Sequence, residues 1–200
     1  MSKLPLEFYT RPDVVQIARQ LVGKYLFTQI DGVLTGGMIV ETEAYAGEND
    51  LACHSHSGKR TARTEIMYHR GGVAYTYLIY GIYTLFNIIT NVAERADAVL
   101  IRAIEPTEGI LEMLLRRNLT QPNHKLTAGP GLLTQALGIT TKHYGTNLTD
   151  DLIWLEDRQT VILDNQLIAS PRVGVAYAGA DALLPWRFRL KGNKWTSRAK

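Results

Sequence analysis

Residues 73–90 read VAYTYLIYGIYTLFNIIT. Two runs rich in β-branched and aromatic side chains flank Tyr80-Gly81, and a glycine-containing turn between such runs marks an antiparallel hairpin. Working outward, Val33 to Tyr45 and Ala98 to Ile104 have the same composition, with Gly36-Gly37 and Gly71-Gly72 as punctuation. Together these runs predict a curved antiparallel sheet. Upstream, Thr10-Arg11-Pro12-Asp13 reads as a helix start, and Val14, Ile17, Ala18, Leu21 and Val22 share one helical face before Gly23. Shorter helices are expected from Glu108 to Arg117 and, after Gly129-Pro130-Gly131, from Leu132 to Leu137. Later strands are expected from Leu152 to Leu155, Arg172 to Ala176 and Arg187 to Leu190. No repeat, linker or low-complexity tract divides the chain. The expectation is one α+β domain over residues 1–200, a curved antiparallel sheet core with a protruding hairpin and surrounding helices.

The composition narrows the function classes. With 200 residues, 46% of them hydrophobic, the chain can bury one sizeable core. Cys53 is the only cysteine, which excludes an internal disulfide framework and multi-cysteine metal sites. No apolar run approaches a membrane span, and MSKLPLEFYTRPD at the N-terminus has no apolar signal core. A cytoplasmic or nuclear protein without a membrane partner is expected. The net charge is only +3, but it is unevenly spread. Arg187, Arg189, Lys191, Lys194, Arg198 and Lys200 crowd the C-terminus without an acid, and Lys59, Arg60, Arg63 and Arg70 gather around Glu65. Such clusters are either an ordinary solvated face or a footprint for a polyanion.

Several side chains could carry chemistry. In MIVETEAYAG, strand alternation puts Glu41, Glu43 and Tyr45 on one face. One acid is expected exposed at a strand end and the other turned into a cleft, and the plainer reading is a solvated acidic edge strand. Another is a pair of carboxylates serving as acid and base at the ~5 to 9.5 Å separation of a sugar glycosidase. Arg102 lies in the apolar run AVLIRAIEP, so its guanidinium needs a carboxylate, a phosphate or water. Tyr75 and Tyr77 share a strand face that suits core packing, whereas Tyr80 at a hairpin tip has no packing role and suits insertion between stacked bases. Asn87 is a polar interruption that needs partners. Cys53-His54-Ser55-His56 matches no common zinc spacing, and no metal or cofactor is expected. From these residues alone, a hydrolase acting on a nucleic acid, a non-catalytic nucleic-acid-binding module and a sugar glycosidase all remain open.

Six segments, in this order, resemble the alkyladenine (3-methyladenine) DNA glycosylase family: ETEAYAGENDLACHS, RTARTEIMY, AYTYLIYGIYTLFNI, VLIRAIEP, AGPGLLTQALGI and RVGVAYAG. The resemblance runs from about Leu4 to Ser197. It implies a monofunctional, metal-free and monomeric DNA repair enzyme that flips alkylated or deaminated purines out of double-stranded DNA and leaves abasic sites. By that resemblance Glu43 is the general base for the attacking water, which Arg102 and the main chain of Val173 hold. Tyr45 stacks on one face of the flipped base, with His54 and Tyr77 on the other. Asn87 crowds out the 2-amino group of guanine, and Tyr80 fills the gap in the duplex. Arg60 and Arg63 are candidate contacts to the DNA backbone. The chain departs from the family pattern at Leu132, where a lysine is common, and at Thr64, where an asparagine is frequent.

Overall fold

The computed structural model describes residues 2–198. Its frame is a nine-stranded sheet in which every ladder is antiparallel. In chain order the elements are β1 (Ser2–Lys3), α1 (Leu6–Tyr9), α2 (Val14–Leu21), β2 (Tyr25–Ile30), β3 (Val33–Ala46), β4 (Ala74–Ile79), β5 (Tyr83–Thr90), β6 (Asp97–Glu108), α3 (Ile110–Arg116), α4 (Pro130–Leu137), β7 (Ile153–Asp157), β8 (Leu167–Ser170) and β9 (Arg187–Leu190). The main path through the sheet is β1-β7-β2-β3-β6-β5-β4, while β9 joins β3 and carries β8. The expected α+β architecture with a hairpin is what the structure holds.

The sheet forks along β3. Its first half pairs with β2, and Glu41, Thr42 and Glu43 pair with β9 instead, while β6 runs along the other side. The acids therefore sit on an interior strand, which overturns the reading of a solvated edge. Both have 0% exposure. Next to them the ladder slips twice: Ile39 faces Ile104, Glu41 faces Ala103 and Thr42 faces Ile101, so Val40 and Arg102 fall outside the pairing and the register beyond is restored. Bulges of this kind re-aim a side chain, and Arg102 is the one re-aimed toward the acids.

One large apolar cluster fills the space between sheet and helices, with Ile17, Leu21, Ile39, Phe86, Ile101 and Leu137 among its members. Helix α2 presents the expected face, and the Asp13 carboxylate accepts from the Gln16 N–H at 2.9 Å to cap it. Strand β2 was not expected. It joins β3 through Asp31 and Gly32, both at positive φ. Helix α3 starts later than Glu108 because β6 runs through that residue and Gly109 (φ 64°) turns the chain. The expected strand from Arg172 to Ala176 does not form. Gly174 takes φ 75°, the Val173 N–H binds a carboxylate, and a 3-10 segment follows over Ala176–Leu183.

Candidate active site

The described residues enclose a cavity of about 680 Å³ between β4, β5, β6 and the 173–177 loop. Tyr45, His54, Tyr77, Asn87, Arg102 and Val173, chosen from different segments of the sequence, all line it. Glu43 is not itself in the lining but lies fully buried behind three of these residues. Its Oε1 accepts from the Val173 N–H at 2.8 Å, and its Oε2 accepts from Arg102 Nη1 at 3.1 Å and from the Tyr45 hydroxyl at 3.0 Å. Strand alternation explains why Tyr45 and Glu43 meet, and the β6 slip brings in the guanidinium.

Glu41 is held differently. Its Oε1 accepts from Arg102 Nε at 2.9 Å, Arg187 Nε at 2.7 Å and Ser197 Oγ at 2.8 Å, and its Oε2 accepts from the Ser197 N–H at 2.5 Å. Four donors occupy its carboxylate, and of their residues only Arg102 lines the cavity, so it is no second acid for a sugar glycosidase. Arg187 is buried with it, so one of the six C-terminal cations serves the interior, and Lys200 lies outside the described residues. Burial opposes the charge on Arg102, but the Glu43 and Glu41 carboxylates outweigh it and raise its pKa. Burial, reinforced by the Glu43 carboxylate, likewise holds the Tyr45 phenol well above its ordinary value.

A second ion pair braces the site from behind. Arg172 forks onto Asp50 at 2.5 and 2.8 Å and donates to the Ala44 carbonyl at 2.8 Å. Its guanidinium lies 4.8 Å from the Tyr45 ring centre and 5.1 Å from that of Trp186. Sequence reasoning missed Arg172 and Asp50. The only local signal was a charged residue at the head of the apolar run RVGVAYAG.

The aromatic wall comes from β4 and the segment before it. The His54 ring meets Tyr77 edge-on at 4.7 Å, its Nδ1 lies 2.8 Å from the Tyr75 hydroxyl, and Tyr75 and Tyr77 are 5.1 Å apart. Burial, helped by the charges of Arg63 and Lys59, lowers the His54 pKa from 6.5 to about 4, so the ring is neutral at physiological pH. Asn87 is buried and its amide donates to the Tyr75 carbonyl at 3.2 Å. The neighbours of His54 diverge in their bonding: Cys53 Sγ lies against Ser55 Oγ, and His56 Nδ1 against the Glu48 carbonyl. Among the described residues no group of three His, Cys, Asp or Glu side chains could hold a metal ion.

Tyr80 stands at the tip of the β4–β5 hairpin, 85% exposed and at φ 53°, beside Ile82 at 73%. Gly81 follows at φ 69°, as a tight hairpin turn requires. Arg60 is forked between Glu65 and Glu94, whereas Arg63 lies 4.6 Å above the Tyr77 ring at the cavity wall. Thr64 is turned inward, accepting from the Thr61 N–H and donating to the Lys59 carbonyl, while Leu132 lines the cavity.

An aromatic slot with a fixed carboxylate just behind its wall, beside an exposed apolar finger, suits a protein that takes a flat ring out of a polymer and acts on the bond beneath it. The comparisons with known proteins agree with that class. The chain belongs to the methylpurine-DNA glycosylase (MPG) family, whose profile matches residues 7–194. It is 42% identical over 192 residues to a protein of Chlamydia felis, covering 96% of this chain and 97% of the relative. It is 43% identical over 195 residues to one of Bacillus licheniformis, covering 98% and 96%. Both relatives are named as candidate 3-methyladenine DNA glycosylases.

Proposed function

We propose that this DNA glycosylase flips an alkylated or deaminated purine out of double-stranded DNA and hydrolyses its N-glycosyl bond with water activated by Glu43. The observation that carries the reading is the Glu43 carboxylate, buried directly behind the cavity wall and bonded on both oxygens to three groups that line it, Tyr45, Arg102 and Val173. A carboxylate offers about four lone-pair sites. Three donors occupy it here, so one site remains for the hydrogen of a water. Because the Val173 N–H is spent on Glu43, the Val173 main chain would hold that water through its carbonyl, together with Arg102, which also lines the cavity.

In the reaction the water oxygen bonds to C1′ as the bond from C1′ to the purine nitrogen breaks. The electron pair leaves with the base, and the water proton passes to Glu43. A purine made electron-poor by alkylation or deamination accepts that pair readily. Flipping costs a few kcal/mol, and stacking on an aromatic wall returns ~1 to 3 kcal/mol per base. The neutral His54 suits this role, since an imidazolium would repel a cationic alkylated purine. No lysine lines the cavity among the described residues, which favours simple hydrolysis over a Schiff-base lyase step. Asn87 screens the purine edge, Tyr80 fills the vacated stack, and Arg63 is better placed than the doubly paired Arg60 to meet a phosphate at the cavity mouth. The chain works as a single-domain monomer, in the nucleoid of a bacterium or the nucleus of a eukaryote.

The test is incubation with duplex oligonucleotides carrying 3-methyladenine, 7-methylguanine, hypoxanthine or ethenoadenine, followed by alkali to reveal abasic sites. Glu43→Gln should lose ~10²- to 10⁴-fold in excision while binding lesion DNA within several-fold of wild type. Undiminished turnover would remove Glu43 as the base. If binding is retained but no lesion is excised by the wild type, the non-catalytic module takes its place.

A further inference from the structure

Glu41 shares only Arg102 with the cavity lining and accepts four hydrogen bonds, as many as Asp50. Its four donors come from β6 (Arg102), β9 (Arg187) and, through two bonds, from Ser197 near the C-terminus, 156 residues away in sequence. Arg102 contributes its Nε to Glu41 and its Nη1 to Glu43. A planar guanidinium cannot serve both acids unless both are fixed, because its donors form a rigid fork. The two buried carboxylates face the buried guanidiniums of Arg102 and Arg187, and the charge of Arg189 is also felt at Arg187. The other charged or titratable groups near Glu43 are Arg172, Tyr45 and Tyr77. None of them is among the hydrogen-bonding partners of Glu41.

We infer that Glu41 is a positioning residue, which with Ser197 anchors Arg102 so that Glu43 is held at its working place, and that the C-terminal segment thereby completes the active site. The inference rests on the reading of Glu43 as the base. If Glu41 loses its charge, Arg102 keeps a single carboxylate partner, re-centres on Glu43 and draws it off the line to C1′. A displacement of about 1 Å in such a group can cost ~10²-fold in rate. Affinity for the lesion should not change, because the stacking residues are untouched.

The experiment measures single-turnover excision and lesion-DNA affinity separately, with a hypoxanthine-containing duplex as the probe and circular dichroism to confirm folding. Glu41→Gln should lower the excision rate constant by ~10²-fold with affinity within twofold. Ser197→Ala, which removes one of the four donors and keeps the N–H, should lose roughly three- to tenfold in the same rate constant. A rate within twofold of wild type in folded Glu41→Gln, or a loss that tracks affinity or folded fraction, overturns the inference. If Glu41→Gln does not fold, Ser197→Ala decides by the same split between rate and affinity. Glu43→Gln is run alongside. Should it keep turnover, the base assignment fails first; should it be inactive while Glu41→Gln behaves as wild type, only the positioning role fails.

Discussion

The shelf on β3 and the tip of the β4–β5 hairpin invert the usual distribution of polarity in opposite senses. At the shelf, Glu41, Glu43, Asp50, Arg102, Arg172 and Arg187 are all buried. At the tip, Tyr80 and Ile82 stand in solvent. Buried charges are tolerated when every one is paired and hydrogen-bonded, and here each carboxylate has several donors. The tip has no such compensation within the chain. Under the proposed function its counterpart comes from outside, and a base stack is a surface that fits two apolar side chains on a narrow turn. On the proposed reading the shelf is complete before substrate binds, and the hairpin is complete only afterwards.

The comparison predicts opposite responses to mutation. The largest structural effect should come from Arg172→Met. It leaves Asp50 buried without its partner and should cost ~3 to 5 kcal/mol of stability, read as a fall in the urea midpoint. A loss below 1 kcal/mol would mean that the shelf is braced by packing and not by ion pairs. Tyr80→Ala should do the reverse, cutting excision from fully paired DNA by ~10- to 100-fold through lost stacking while leaving the melting temperature nearly unchanged. In a bulge, where the lesion is already loose, the same substitution should cost less. A large drop in melting temperature, or unchanged excision from paired DNA, would make Tyr80 a packing residue. Tyr80→Gly sharpens the contrast further. It relieves a left-handed tyrosine worth ~1 to 2 kcal/mol of strain, so thermal stability should hold or rise as excision falls.

The mildest effect is on pH dependence. His54 has its pKa lowered from 6.5 to about 4, so between those values the unfolded chain binds more protons than the folded one, and stability is lost as pH falls. Asp97 has its pKa raised by burial from 3.8 to about 6, so the folded chain holds the extra proton and stability is lost as pH rises through that window. The two partly cancel in the wild type. Urea titrations at pH 4.5, 5.5 and 6.5 should show that Asp97→Asn steepens the loss on acidification and that His54→Gln shifts the slope the other way, toward a gain on acidification. Identical slopes in all three proteins would show that neither group governs this range.

Local pattern made much of the frame legible. The apolar spacing and Asp13 gave α2, the Tyr80-Gly81 turn gave the hairpin, and Arg187 to Leu190 is a strand as expected. The missed strand β2 had its signal in Asp31-Gly32, a two-residue turn followed by the run that begins β3. The alternation of Glu41, Glu43 and Tyr45 was readable, but their burial was not. It depends on β9 arriving from residues 187–190. The pairs Asp50–Arg172 and Glu41–Ser197 span 122 and 156 residues, and contacts over such separations leave no periodic trace. The strand expected at Arg172 to Ala176 failed for the same reason, since its first residues answer to distant carboxylates and not to a neighbouring ladder.

The paired slips at Val40 and Arg102 can be put in the language of reading frames. One slip alone would be a frameshift, setting every later residue of β3 against the wrong partner on β6. The second, of opposite sense, acts as its suppressor, and from Thr42 opposite Ile101 the ladder is back in frame as far as Ala46 opposite Asp97. The site is therefore a local edit, separate from the slip between Gly36 and Gly37 nearer the start of the strand. The sheet can carry a guanidinium out of phase at one position without rewriting the pairing on which the rest of the fold depends.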